Sequence, residues 1–106
     1  MVTIGDVYAF SLLKKAGELG ISIPGDMSVI GFDDREACRY SNPPLTSINQ
    51  PMEEMGRTAC RFLFERLEAP KRPAKKTTLD VELVVRTSTG PFRSEEQMHK
   101  EEIKMV

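Results

Sequence analysis

Two adjacent carboxylates, Asp33 and Asp34, directly follow the short apolar run Ser28-Val29-Ile30-Gly31-Phe32. Such a run suits a buried parallel strand, so both acids stand just past its carboxyl end. Open α/β sheets bind ligands at that end. A carboxylate pair there could hold Mg²⁺ for phosphoryl transfer, but that chemistry wants a further carboxylate and a lysine at other strand ends. No matching lysine is evident. The one histidine, His99, sits in a polar tail, which argues against a Ser/His/Asp or Cys/His nucleophilic site. No C-x-x-C or H-x-x-x-H spacing exists for zinc, and there is no G-x-x-x-x-G-K-[ST] or G-x-G-x-x-G for a phosphate. The expectation is no enzyme, no metal and no cofactor.

Residues that act at a strand end need a sheet to hold them. Val2 to Ile4 reads as the stub of a first strand. Asp6 is placed to cap a helix with its carboxylate. From Val7 to Leu19 the residues Ala9, Leu12, Leu13, Ala16 and Leu19 recur at helical spacing. Gly17 within that helix suggests close packing, and Gly20 suits its left-handed end. The turn-rich link 21–26 leads to the strand 28–32, which completes a βαβ unit. A short helix is expected over 35–40, stopped by Asn42-Pro43-Pro44, and a third strand over 45–49. Pro51 suits the first position of the next helix, Met52 to about Leu67. Its apolar face is wide, which predicts cover on more than one side. A basic link, 69–76, precedes a strand over 78–87, where Leu79, Val81, Leu83 and Val85 alternate with Asp80, Glu82 and Arg86. Residues 1–93 form the folded part. Residues 94–106 are a polar tail expected to be frayed, with Glu96 and Lys100 at helical spacing.

Composition agrees with one soluble globular domain. The 106 residues are 40% hydrophobic and 29% charged, and 15 Lys+Arg against 16 Asp+Glu leave a net charge of −1. There is no basic excess to grip nucleic acid, and no apolar run approaches the roughly 20 residues that span a bilayer. No signal peptide is visible, and the two cysteines, Cys38 and Cys60, read as reduced thiols, so a cytoplasmic chain is expected. The run Lys71-Arg72-Pro73-Ala74-Lys75-Lys76 reads as a solvated loop rather than a phosphate patch.

Three ordered stretches are more specific. They are G-I-S-I-P-G-D-M-S-V-I-G-F-D-D at 20–34, P-P-L-T-S-I-N-Q-P at 43–51 and E-L-V-V-R-T-S-T-G at 82–90. Together with the helix D-V-Y-A-F-S-L-L-K-K-A-G-E-L-G at 6–20, they resemble the lactose/galactose repressor (LacI/GalR) family over about residues 1–93. The resemblance is to the last third of a family member. It implies part of a two-lobed, periplasmic-binding-protein-like sensor, with 1–49 and 78–87 in one lobe and 52–67 in the other. The helix-turn-helix of such a repressor is not in this sequence, so no direct DNA contact is expected.

The resemblance also assigns roles. Asp33 would accept hydrogen bonds from the hydroxyls of a sugar-like or nucleoside-like effector; an ionised acceptor suits a polyol. The plainer role is a turn carboxylate capping the helix near Arg35, a role that suits Asp34 better. Gln50 would line the cleft at a lobe crossover, or hydrogen-bond the backbone at a helix start. Met52 would wall the cleft, or join the core. Phe10, Tyr40 and Ser41 match dimer-interface positions, the alternative being ordinary packing. Gly5 departs from the pattern, since an effector-contacting asparagine commonly stands there. The implied function is effector binding and dimerisation within a transcription regulator. The alternatives are a non-regulatory sugar-binding protein of the same fold, or an inactive structural fragment. Exposed sheet edges and the wide face of helix 52–67 imply self-association.

Overall fold

A computed structural model describes residues 1–92. The element order is α1 (Asp6–Leu19), β1 (Ile30–Asp33), a short 3₁₀ turn (Glu36–Arg39), β2 (Thr46–Asn49), α2 (Met52–Glu68) and β3 (Glu82–Val84). The polar tail 94–106 lies outside the described residues. β1 and β2 are parallel, with Ile30 opposite Thr46 and Asp33 opposite Asn49. Val2 adds a single parallel bridge to Ile30 on the other side of β1. The expected first strand is therefore reduced to one residue pair, and α1 makes the crossover of a minimal βαβ unit.

α1 ends as its glycine predicts. Gly20 adopts φ 72°, and the N–H of Ile21 reaches back to the carbonyl of Ala16 at 2.8 Å while that of Gly20 reaches Gly17 at 3.3 Å. These two bonds satisfy carbonyls that the last turn would otherwise leave open. Ala9, Leu13 and Ala16 are buried, and Ala9 and Leu13 join Val29, Cys38 and Leu45 to form the core, against which Phe10, Leu12, Ile23 and Met27 pack. Leu19, at the end of the expected stripe, is exposed. Gly17 has open space where a Cβ would stand, so no close packing requires it among the described residues.

Three further expectations change. The Asp6 carboxylate does not cap α1. Gly5 precedes the helix, and Asp6 is fully buried with its carboxylate turned to other segments. α2 has no buried residue. One side of it is partly covered by the segment that follows, with Phe62 beneath the cations of Arg61 and Lys75, each 5.7 Å from the ring centre. Its other side leaves Cys60, Leu63, Phe64 and Leu67 exposed. The cover expected on more than one side is absent among the described residues.

The last strand is shorter than its sequence suggests, and it runs antiparallel to β2, with Ile48 opposite Leu83. Its alternation is also inverted. Val81, Leu83 and Val85 are exposed, whereas Val84 and Arg86 are partly covered and Ser88 is fully buried. Polar bonding decides the face. The Ser88 hydroxyl accepts the N–H of Thr46 at 2.8 Å and donates to the carbonyl of Val29 at 2.6 Å, stitching the starts of the two parallel strands together. A buried hydroxyl with both functions satisfied costs far less than one left unpaired.

Candidate functional site

The register of β1 against β2 places Asp33 beside Asn49, with Gln50 one residue further on. Gln50 Nε2 donates to Asp33 Oδ1 at 2.7 Å. No other polar partner contacts the Asp33 carboxylate among the described residues, so Oδ2 stays open on a half-buried side chain. The structure thus brings Asp33 and Gln50 together. Gln50 also lines a groove of about 440 Å³ with Pro51, Met55, Phe62 and Leu79. Asp33 and Met52 are not among its lining residues. Met52 turns tightly after Gln50, its N–H reaching the Gln50 carbonyl at 2.8 Å, and its side chain is exposed rather than in the core.

Neither acid caps the short turn near Arg35. That turn has no side-chain cap, and the N–H of Arg35 goes instead to Asp6 Oδ2 at 2.7 Å. Asp34 has a different task from the expected one. Its Oδ2 accepts from Asn49 Nδ2 at 2.9 Å and its Oδ1 from Arg86 Nη2 at 2.6 Å. Burial by itself would raise the Asp34 carboxyl, but hydrogen bonds from Asn49 and Arg86, with the charges of Arg86 and Arg39, outweigh it and hold the pKa below its ordinary value.

Behind the two acids lies a buried network. Ser47 Oγ donates to Asp6 Oδ1 at 2.6 Å and accepts the N–H of Asp34 at 3.0 Å. Cys38 Sγ donates to Asp6 Oδ2 at 3.1 Å. Burial, then this hydrogen bond and the negative charge of Asp6, push the Cys38 thiol up to about 12. It is a structural donor and no nucleophile. Sequence reasoning missed Arg86, Asn49, Ser47 and Asp6 as supports of the site. The available signals were an arginine inside an apolar strand and two hydroxyl residues, Thr46 and Ser47, where a core strand would carry aliphatics.

Phe10, Tyr40 and Ser41 come together around a depression of about 540 Å³, shared with Leu13, Lys14 and Gly17. Tyr40 is 77% exposed, so the described residues leave its side chain largely open to solvent. Ser41 Oγ already contacts the carbonyls of Cys38 and Pro43, at 3.1 and 3.0 Å. Among the described residues no helix is long and apolar enough to cross a membrane, and no group of three His, Cys, Asp or Glu could hold a metal ion.

Comparison with known proteins identifies the fold that carries these residues. The family profile described as "Periplasmic binding protein-like domain" matches residues 1–89. The chain is similar to the HTH-type transcriptional repressor PurR of Yersinia enterocolitica, 40% identical over 91 residues that make up 84% of this chain and 27% of that protein. Among solved structures it is similar to a LacI family transcriptional regulator from Enterococcus faecalis V583 with bound ribose, at 40% identity and a TM-score of 0.78, covering 87% of this chain and 34% of that one. It is also similar to the transcriptional regulator CelR in complex with cellobiose, at 32% identity and a TM-score of 0.77, covering 82% and 27% respectively. The chain spans about a third or less of each relative's length, and these relatives are regulators rather than enzymes.

Proposed function

Since the chain belongs to the periplasmic-binding-protein-like domain family, in the branch found in LacI-family transcriptional regulators, we propose that it supplies one face of an effector cleft and part of a dimer interface. The effector is a sugar-like or nucleoside-like polyol. Relatives with bound ribose and cellobiose support that class. Asp33 accepts effector hydroxyls, Gln50 orients Asp33 and offers its own amide, and Met52 contributes an apolar wall. Phe10, Tyr40 and Ser41 meet a second copy. In a complete regulator acting in the cytoplasm, effector binding would bias lobe closure and dimer geometry, and through them the affinity of a separate DNA-binding domain.

The observation that carries this reading is the Asp33 carboxylate itself. It stands at the carboxyl end of a parallel strand, one oxygen held by Gln50 and the other open. Hydrogen bonds to a charged acceptor are worth about 1.5–3 kcal/mol each. Asp33→Ala should therefore weaken binding of ribose by roughly 10- to 150-fold. Titration calorimetry with unchanged affinity removes Asp33 from the site.

A further inference from the structure

Asp33 and Asp34 both have positive φ, 113° and 55°. L-residues avoid this region, and the value at Asp33 lies beyond the left-handed helical basin that aspartate tolerates. Two such residues in succession persist only where their surroundings hold them. The hold falls on the residues after Asp33. The N–H of Asp34 is fixed by Ser47 and that of Arg35 by Asp6, and the Asp34 carboxylate is fixed by Asn49 and Arg86.

Arg86 differs from the other supports because it belongs to neither parallel strand yet bonds the end of one and the start of the other. Its Nη2 bonds Asp34 at the end of β1, its Nη1 bonds the carbonyl of Leu45 just before β2 at 2.7 Å, and its own N–H bonds Thr46 Oγ1 at 2.8 Å. A planar guanidinium can serve two acceptors at fixed separation; an ammonium acts as a single point. The ion pair is largely buried, with the side chains of Arg86 and Asp34 only 13% and 11% exposed. Its geometry is therefore not averaged by solvent.

We propose that Arg86 is a positioning residue: by gripping Asp34 and the Leu45 carbonyl together it keeps the 33–34 backbone at positive φ and so aims the Asp33 carboxylate at Gln50. The value of this to the molecule rests on the reading of Asp33 as an effector acceptor. Arg86 touches no effector. It fixes the direction from which one is met, and it does so from the segment just after β3, 52 residues along the chain from Asp34.

The test is nuclear magnetic resonance on the full chain, well below its melting temperature. The Asp33 amide-to-Hα coupling reports φ, and the Gln50 side-chain amide shifts report its bond to Asp33. Arg86→Met should move both while leaving the amides of Ala9 and Leu13 in α1 unchanged. Arg86→Lys, which keeps the charge beside Asp34 but cannot also hold Leu45, should give intermediate values. Unchanged Asp33 and Gln50 signals in Arg86→Met overturn the proposal; if that variant does not fold, unchanged signals in Arg86→Lys do so. Ribose titration separates the two readings. Where the chain binds ribose, Arg86→Met should weaken it about tenfold, as expected for one misplaced hydrogen bond. Shifted signals with no ribose binding by the unaltered chain uphold the positioning and refute ribose as a ligand.

Discussion

Arg86 Nη2 lies 2.6 Å from Asp34 Oδ1, joining residues 52 apart in sequence. The pair closes the antiparallel end of the sheet onto its parallel half. Removing one partner of a buried pair leaves the other charge uncompensated, which typically costs about 3–5 kcal/mol.

Acid stability should depend on this pair. The folded-state pKa of Asp34 is depressed, so its contribution is fully present above the unfolded value of about 3.9 and is lost as pH falls through the folded value. The chain should be more stable than Asp34→Asn at pH 7, and the gap should narrow only below about pH 4. Urea titrations across that range check this. A gap independent of pH would show that the carboxylate's charge contributes nothing.

Gly31 lies against the buried Asp6 carboxylate. A Cβ at this position would overlap Asp6 Oδ1 and stand 2.8 Å from Leu45 Cδ2. Gly31→Ala should therefore destabilise the fold by about 1–3 kcal/mol, the usual range for overpacking. The denaturation midpoint should fall with an unchanged slope. Because Asp6 would be displaced, the bond from Cys38 should weaken in the same variant.

The two thiols should separate cleanly. Cys60 is exposed, while Cys38 is buried with its thiol pushed up to about 12. At pH 8, and at a chain concentration low enough to keep α2 free of a second copy, a disulfide reagent should modify one thiol quickly, and Cys60→Ser should abolish that phase. Cys38 should react only at the rate of unfolding. The raised value also means that its contribution to stability is intact at neutral pH and is lost only as pH rises from the ordinary thiol value toward about 12. Fast double labelling of the folded chain would contradict the buried hydrogen bond to Asp6.

The bare side of α2 should drive self-association. Leu63, Phe64 and Leu67 are each more than half exposed, as are Val81, Leu83 and Val85 on the last strand. Large apolar side chains left open in such number are uncommon in a monomer. Sedimentation equilibrium at tens of micromolar should show a dimer or larger species, and Phe64→Glu with Leu67→Glu should shift it toward monomer. A compact 11.9 kDa species from the unaltered chain would refute this.

Local chemistry was legible in the sequence wherever one segment answers to itself. The span of α1 and its end at Gly20 follow from helical spacing and from a residue that takes positive φ without strain. The place of Asp33 at the carboxyl end of β1 follows from a short apolar run and its boundary, although the strand runs one residue further than that boundary and takes Asp33 in. The family likeness, carried by three ordered stretches, extended that legibility to the fold. Tertiary structure decided everything that depends on a distant partner. Asp6 looks like a helix cap until Arg35, Cys38 and Ser47 arrive to claim its oxygens. Val81, Leu83 and Val85 look as though they face inward, yet Arg86 and Ser88 turn the other face in, where their side chains bond polar groups at the starts of β1 and β2. Hydrophobic periodicity records which side of a segment could be buried. Which side is buried depends on what the rest of the chain brings to meet it, and for α2 the described residues bring cover to one side alone.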